Sequence, residues 1–408
     1  MRTTGHVIAG LFAGIFSACA TTGHAQENSF AQVERGRYAV ATGNCQGCHT
    51  IPGEAPFSGS RGLETPFGII YTPNITFDPD TGLGAWSKDD FWRALHEGVA
   101  RDGSHLYPAF PYPHFTRMPR AETDAIYDYL ATLPRVRREK PENELPFPLN
   151  QRIALAGWKW MFFEPGALKP NAEKSAQWNR GAYLVEGPGH CSGCHTAKNV
   201  AGADKESEHL RGGNLENWAA PNIRGGANGG IEDWSEDDIV EFLRTGRNAH
   251  TAAFSTMSEV IELSTQHFRE EDLRAIAIYL KDLDGEEPEV PDEPDQAHLA
   301  AGQAIYFDNC SACHVSDGSG VPRFFAPLAG SGKVNNDDPT TVIRVILEGA
   351  RAVPTKSHPS PLSMPSFAWK LTDEQIAAVA TFVRSSWGNR ASAVSTDEVE
   401  GLREALTD

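Results

Sequence analysis

Apolar residues recur every three or four positions in three stretches of the chain, around residues 124–133, around 270–283 and at 372–385. In the last stretch Ile376 and Val383 fall on one face of a helix. Each stretch therefore predicts an amphipathic helix. The alternation of apolar and polar residues that is typical of β-strands is scarce throughout the sequence. The pattern predicts an all-α fold.

Two parts of the chain repeat each other. A short predicted helix containing Arg-Gly-x-Tyr occurs at 34–40 and again at 178–185, and a third short helix is predicted at 299–306. The sequence Pro-Asn-Ile, followed later by Trp-Ser and two acids, occurs around Trp86 and around Trp234, about 148 residues apart. The serine after each tryptophan is predicted to cap a helix, because acids in a first turn are favoured by the backbone N–H groups and the helix dipole.

Six of the seven cysteines fall in three copies of the pentapeptide Cys-x-x-Cys-His, which we call the haem frames. The frames consist of Cys45, Cys48 and His49, of Cys191, Cys194 and His195, and of Cys310, Cys313 and His314. Two thiols three positions apart on a helical turn can both add to the vinyl groups of one porphyrin, and the adjacent histidine then reaches the iron. The frames predict three covalently bound haem c groups with these histidines as iron ligands.

Other uses of paired cysteines fit the spacing less well. A zinc ribbon has its two pairs about 15 to 20 residues apart, whereas these frames begin 146 and 119 residues apart. A thioredoxin-like pair needs one strand-to-helix site and no histidine after it. A disulfide framework suits an exported chain but leaves the three histidines unexplained.

Around each frame the predicted order is helix, frame, loop, helix, loop, helix, which matches the small all-helical cytochrome c fold. The haem supplies much of the apolar core that about 100 residues would otherwise lack. We predict three tandem cytochrome c-type haem domains at 29–134, 176–283 and 296–388, with a connector at 135–175, an acidic proline-rich linker at 284–295 and a short C-terminal tail at 389–408.

The second axial position decides whether a haem carries electrons or binds small molecules. Met364 lies 50 residues after His314, and Met257 lies 62 residues after His195. Both are predicted to be the distal ligands of their haems. The alternative for each is a methionine that only packs in the core.

The first haem is different. Alignment on the last helix places Phe110 where Met364 stands, and phenylalanine cannot bind iron. Met118 is the candidate thioether ligand in this domain, and the alternatives are His114, His105 or an open site.

A haem-ligating histidine usually donates its other ring N–H to a backbone carbonyl. Pro73, Pro221 and Pro327 stand at comparable points after the three frames, and we expect their carbonyl groups to accept these hydrogen bonds.

The chain of 408 residues carries 36 Lys and Arg against 54 Asp and Glu, a net charge of -18. This charge repels phosphate backbones and argues against nucleic-acid binding. Residues 1–25 are predicted to be a signal peptide cleaved before Gln26, so the mature protein is expected in the periplasm, soluble or attached to the periplasmic face of the inner membrane. The segment ending at Cys19 loosely resembles a lipoprotein cleavage site, which is the alternative.

The connector carries a basic stretch from Arg135 to Lys140 and then Trp158, Trp160 and Phe163. Its aromatic density favours packing over flexibility. We expect an internal wedge between domains, with a partner-docking surface as the alternative.

With these residues in hand, the chain resembles the three-haem cytochrome c subunits of membrane-associated bacterial dehydrogenases that oxidise alcohols, sugars, gluconate or aldehydes. The resemblance rests on the three frames and on the segments 71–76, 84–87, 106–112, 179–185 and 386–389. It implies that a flavin, quinone-cofactor or molybdenum subunit oxidises the substrate, and that this chain relays electrons to ubiquinone or a terminal oxidase. It implies no catalytic residue in the chain itself.

The chain departs from that family at Phe110, where several relatives have methionine, and in its short acidic tail, where Ser395 and Glu398 predict a capping box. Two rival functions follow from the residues. One is a peroxidase-like haem enzyme with an open site at the first haem, and the other is a free periplasmic electron shuttle.

Overall fold

The computed structural model describes residues 20–226, 230–286 and 291–406, with side chains from residue 29 onward. Most of the predicted signal peptide, including Cys19, lies outside the described residues, as do positions 287–290 of the predicted linker. Below, residues 29–134, 176–283 and 296–388 are called the first, second and third units.

The first unit contains five helices and one β-hairpin among its described residues. They are α1 (Ala20–Thr42), α2 (Cys45–His49), β1 (Gly62–Thr65), β2 (Gly68–Tyr71), α3 (Lys88–Glu97), α4 (Tyr112–Phe115) and α5 (Arg120–Leu130). The connector contributes α6 (Ala154–Phe162).

The second unit has a similar order. Its elements are α7 (Ala176–Glu186), α8 (Ser192–His195), β3 (Gly213–Leu215), β4 (Trp218–Ala220), α9 (Glu236–Thr245), α10 (Thr256–Leu263) and α11 (Glu270–Lys281), with 3₁₀ turns at Glu206–Glu208 and Thr265–His267. The predicted serine caps are confirmed: Ser87 and Ser235 each form a capping box, with Asp90 and Asp238 respectively.

The third unit ends in a helix that belongs to the tail. Its elements are α12 (Gln296–Asn309), α13 (Ser311–His314), α14 (Thr340–Glu348), β5 (Ala350–Arg351), β6 (Ser363–Met364) and α15 (Asp373–Ser385), followed by α16 (Thr396–Ala405). The predicted capping box of Ser395 and Glu398 is confirmed. Val399 of α16 is buried in one core with Ile343 and Leu347, so the tail packs against the third unit.

The helix-rich fold is confirmed, but the all-α prediction missed three short antiparallel hairpins, β1–β2, β3–β4 and β5–β6. Each strand has at most four residues. Strands this short show too few alternations to be distinguished from loops by periodicity.

One helix crossing occurs in all three units. The first long helix of each unit crosses its last helix at Gly36, Gly181 or Gly302, where a Cβ would lie 1.9, 2.0 or 2.1 Å from a carbonyl oxygen of the last helix. The crossing is therefore closer than any side chain permits. It fixes the first helix, and the frame that follows it, relative to the rest of the unit.

The first and second units contact each other reciprocally. The Tyr38 hydroxyl of the first unit donates to Asp272 of α11 at 2.5 Å, and the Tyr183 hydroxyl of the second unit donates to Glu122 of α5 at 2.6 Å. These tyrosines are those of the repeated Arg-Gly-x-Tyr sequence. The repeat thus builds a pseudo-twofold boundary between the two units.

The third unit contacts the second unit through other residues. The Thr341 hydroxyl accepts from the Ala219 N–H and donates to the Ala219 carbonyl, both at 2.9 Å. Arg344 lies 4.2 Å from the ring centroid of Trp218 and donates to the Glu216 carbonyl at 2.6 Å.

Candidate haem centres

Each haem frame stands on a short helix that directly follows a long one, α2 after α1, α8 after α7 and α13 after α12. The described cysteines are free thiols, so the disulfide alternative is wrong. Among the described residues, no group of three or more His, Cys, Asp or Glu is arranged to hold a metal ion by itself. Burial raises the pKa of the Cys45 and Cys191 thiols to about 12.

The Nδ1 atom of each frame histidine is hydrogen-bonded to a backbone carbonyl. The Nδ1 of His49 contacts the Pro73 carbonyl oxygen at 2.8 Å, and the Nδ1 of His195 contacts that of Pro221 at 2.8 Å. A carbonyl oxygen only accepts, so Nδ1 carries the proton and Nε2 is left with a free lone pair for iron. These two predictions are confirmed.

The third prediction is wrong by one residue. His314 Nδ1 donates to the carbonyl of Ala326 at 2.9 Å, and not to that of Pro327. The loop from histidine to carbonyl spans 12 positions in the third unit, against 24 and 26 in the others. The third loop contains no β-hairpin, so alignment on proline does not preserve the register.

Burial lowers the pKa of all three frame histidines. Their rings are therefore neutral at pH 7, which is the form that binds iron. Two thiols on one turn, followed by a neutral imidazole of fixed tautomer, form the donor set that haem c requires. The residues of each frame fit the cofactor that the sequence predicts.

A glycine N–H binds the main-chain carbonyl of each frame histidine, and no sequence pattern predicts this contact. The N–H groups of Gly59, Gly212 and Gly320 donate to the carbonyls of His49, His195 and His314 at 2.9, 2.9 and 3.0 Å. The three glycines have φ of 74°, 116° and 60°. They follow their histidines by 10, 17 and 6 positions. This spacing is too variable for a motif to reveal them.

The three candidate methionines lie in different surroundings. Met118 is 1% exposed and belongs to the core cluster against which Cys45 packs. Met257 is at the start of α10 and packs against the cluster of Ala253, Ile261 and Val353. Met364 lies in β6, where it pairs with Ala350.

The alternative histidines of the first unit contact other groups. His105 Nδ1 lies 3.0 Å from the Lys159 ammonium, so it accepts a hydrogen bond from the connector. His114 Nε2 lies 3.7 Å from a carboxylate oxygen of Asp204, in the second unit. Phe110 packs against the first core beside Phe115, with 5.6 Å between the ring centroids.

The first and second units also contact each other close to their frames. Helix α10 packs against α2, and Arg61 links them, donating to the Gly47 carbonyl at 2.6 Å and pairing with Glu259 of α10 at 2.8 Å. On another side, the ring of Phe115 lies 5.6 Å from that of His190, the residue directly before Cys191. Sequence reasoning missed both Arg61 and His190, because neither belongs to a motif.

The connector divides into two faces. The Trp158 indole N–H donates to the Ala201 carbonyl of the second unit at 2.9 Å, and Phe163 packs on Tyr112 of the first unit at 5.0 Å between ring centroids. Trp158 and Phe163 thus pack between the first and second units, as the wedge prediction expected. Trp160 is 86% exposed, however, so the connector also presents an apolar surface.

Comparison with known proteins gives consistent results. The cytochrome c family profile matches residues 33–134 and 299–387. The chain is similar to the gluconate 2-dehydrogenase cytochrome c subunit of Pantoea cypripedii, at 39% identity over 92% of this chain and 90% of the relative.

Two further relatives are cytochrome subunits of other dehydrogenases. The cytochrome c subunit of the quinone alcohol dehydrogenase of Gluconobacter oxydans (strain 621H) is 38% identical over 97% of this chain and 86% of its own length. The fructose dehydrogenase cytochrome subunit of Gluconobacter japonicus is 33% identical, with 91% and 82% of the two chains covered.

Proposed function

The chain belongs to the family of cytochrome c subunits of bacterial dehydrogenases, as the resemblance implied, and we propose that it carries three haem c groups, one on each frame. It is an electron-transfer subunit that receives electrons from a dehydrogenase, and it is not the catalytic subunit. Haem c supplies a one-electron couple at each site. The units are three tandem cytochrome c domains with the boundaries given above.

The observation that carries the proposal is the recurrence of one local geometry. In each unit the histidine after the second cysteine donates Nδ1–H to a loop carbonyl and is held by a glycine N–H at its own carbonyl. The chain's residues thus fix the imidazole orientation before any iron is bound. A rigid, already oriented ligand keeps reorganisation small during electron transfer.

Intact-mass measurement of protein matured in a periplasm tests the haem count. We expect a mass increase of three haems in the wild type. Three double variants should each carry one haem fewer: Cys45→Ser with Cys48→Ser, Cys191→Ser with Cys194→Ser, and Cys310→Ser with Cys313→Ser. A wild-type protein with fewer than three haems would contradict the proposal.

For the distal positions, Met118, Met257 and Met364 are the proposed thioether ligands. Met118 is favoured in the first unit because it shares a core with Cys45, while His105 accepts a hydrogen bond from Lys159 and His114 faces Asp204 of the second unit. Carbon monoxide binding to the reduced protein tests this set. We expect no binding in the wild type and binding at one haem in Met118→Ala. Binding by the wild type would instead support the open-site, peroxidase-like alternative.

We assign the chain a dehydrogenase large subunit of the flavin, quinone-cofactor or molybdenum type as its electron donor, and ubiquinone or a terminal oxidase as its acceptor. The support is the names of the relatives and the charge of -18. An acidic surface favours a partner with a basic docking patch. Association should weaken as salt rises, whereas a free shuttle would not co-purify with a large subunit in a fixed ratio.

The proposed location is the periplasm, at the membrane surface. No helix in the described ranges is long and apolar enough to cross a bilayer. The apolar residues Val399, Leu402 and Leu406 of the tail pack against the core of the third unit. Six of the twelve exposed large apolar side chains in the described part of the chain lie in the connector. We define the open face as Phe147, Leu149, Ile153, Trp160, Met161 and Phe162.

The open face has the chemistry of a lipid contact. No acid occurs between residues 145 and 163, in a chain with 54 acids. The two cations in this stretch turn inward, since Arg152 donates to the His105 carbonyl at 2.8 Å and Lys159 to the Gly98 carbonyl at 2.6 Å. An uncharged aromatic surface suits the membrane interface, where tryptophan is enriched.

Flotation with vesicles of mixed zwitterionic and anionic lipid tests the open face. Trp160→Ser should reduce the bound fraction several-fold. Trp369→Ser, which removes an 81% exposed tryptophan from the third unit, should leave binding unchanged. Equal effects of the two variants, or no binding by the wild type, would contradict membrane contact through this face. Loss of binding to a purified large subunit in Trp160→Ser alone would assign the face to that partner.

A further inference from the structure

Lys333 belongs to the third unit but extends its ammonium group into the second. Its Nζ donates to the Ala252 carbonyl at 2.7 Å and lies 4.2 Å from the ring centroid of Phe254. Both residues precede Met257, the proposed distal ligand of the second haem. Trp218 packs on Phe254 at 5.5 Å between ring centroids, so the ammonium lies among aromatic side chains.

The Lys333 side chain is partly buried, and its ammonium has no anion beside it in the described part of the chain. Among the described residues, no carboxylate pairs with Lys333, whereas Lys88 and Lys174 pair with Asp128 and Asp282 at 2.6 Å each. Burial alone lowers the pKa of Lys333 to about 7. A cation removed from water without a counter-ion is costly, and a chain with 54 acids could easily have supplied one. An anion beyond the carboxylates of the described residues would therefore stabilise this ammonium.

The β3–β4 hairpin connects the surroundings of this cation with the second haem frame. Helix α8, which carries His195, packs against β3, and Thr196 pairs with Gly212. Trp218 of the paired strand β4 packs on Phe254, the ring that the ammonium faces. A haem c group bound at this frame brings two propionate carboxylates with it. These propionates are the anions that haem binding at the second frame would add to the surroundings of Lys333.

We propose that Lys333 of the third unit is the counter-ion of a propionate of the second haem. The second haem is then held by residues from two units, and the third unit tunes its reduction potential. A cation next to a haem favours the reduced state, because reduction lowers the positive charge of the iron centre. The inference rests on the proposed function, since it requires a haem at the second frame.

A redox titration of three variants tests it. Lys333→Met removes the charge and keeps the length, Lys333→Arg keeps the charge, and Lys356→Met removes a charge from an exposed site of the same unit. Intact mass first establishes three haems in each protein. In Lys333→Met we expect one potential to fall by about 59 mV, a tenfold change in the reduction equilibrium. The other two variants should match the wild type.

The resonance Raman band of propionate bending gives a second readout, which a merely structural role of Lys333 would not move. It should change in Lys333→Met and not in Lys356→Met. If Lys333→Met does not mature, Lys333→Gln replaces it. If Lys333→Met carries three haems and its three reduction potentials equal those of the wild type, the inference is overturned and the proposed function stands. A wild type without the second haem would instead refute the proposed function.

Discussion

The two boundaries between units are built on different principles. The first and second units meet through a reciprocal pair of tyrosine-to-carboxylate hydrogen bonds, Tyr38 to Asp272 and Tyr183 to Glu122. The second and third units meet largely through three cations of the third unit, Arg323, Lys333 and Arg344, and Arg323 pairs with Glu241 at 2.5 Å. One boundary is symmetric and the other is directional.

The difference follows from one sequence position. All three units have the glycine of the helix crossing, but the residue two positions after Gly302 is Ala304, where the other units have Tyr38 and Tyr183. The third unit therefore shares the internal architecture but not the docking residue. Helix crossing and docking are separate properties of the same helix, and variants can separate them.

The largest effect is expected at the crossing itself. Gly302→Ala places a methyl group 2.1 Å from the Ala378 carbonyl oxygen. The backbone must move, and we expect a loss of about 3 kcal/mol in the unfolding free energy of the third unit. Gly401→Ala is the control, because a Cβ there meets nothing within 4 Å. It should stabilise α16 slightly. Urea unfolding followed by circular dichroism and haem absorption measures both variants.

The next-largest effect is a difference between the two carboxylates that accept the tyrosine hydrogen bonds at the first boundary. Asp272 accepts from Arg180 at 2.7 Å as well as from Tyr38, whereas Glu122 has no ion-pair partner in the described part of the chain. Asp272→Asn weakens a charged hydrogen bond at a 6% exposed carboxylate and should cost about 2 kcal/mol. Glu122→Gln should cost less than about 0.5 kcal/mol. Equal losses in thermal unfolding would contradict this asymmetry.

A smaller effect is expected at the directional boundary. Arg344→Met removes the cation over Trp218 and the hydrogen bond to the Glu216 carbonyl, at a cost of about 1 kcal/mol. Lys205→Met, at an exposed site of the second unit, is the control and should be neutral. If limited proteolysis between the second and third units is not faster in Arg344→Met, this contact does not hold the boundary.

The smallest effect is a difference in pH dependence. Burial alone would raise the pKa of Asp272, but the hydrogen bonds from Arg180 and Tyr38 outweigh it and hold that pKa below its ordinary value. Its contribution to stability is thus present above the ordinary carboxyl pKa and is lost as pH falls through the lowered value. Burial raises the pKa of Glu122, so its penalty is present at neutral pH and is relieved as pH falls.

Denaturant unfolding between about pH 7 and about pH 2 measures these opposite signs, because the lowered pKa of Asp272 lies below its ordinary value. The stability difference between Glu122→Gln and the wild type should shift against the variant, by a few tenths of a kcal/mol, as pH falls and Glu122 becomes protonated. The difference between Asp272→Asn and the wild type should shrink as pH approaches the lowered pKa of Asp272. The same direction in both series would refute the assignment of these two carboxylates.

Prediction from sequence was strongest where residues act within one turn or one loop. Ser87, Ser235 and Ser395 cap helices as expected, and Pro73 and Pro221 accept from their histidines. It failed where loop length changed the register, as with Ala326 in place of Pro327. It also missed the hairpins, whose strands are too short to show a period, and the glycines behind the frame histidines, whose spacing varies.

The sequence by itself determined the three haem frames, the helices around them and the repeat of the first two units, because thiol, imidazole and capping chemistry depend on neighbours a few positions away. Only the tertiary structure decided which groups meet across units. The Tyr38 hydroxyl reaches Asp272 across 234 positions, and the Lys333 ammonium reaches the Ala252 carbonyl across 81. Such pairings depend on how whole helices pack, and no local pattern along the chain records that packing.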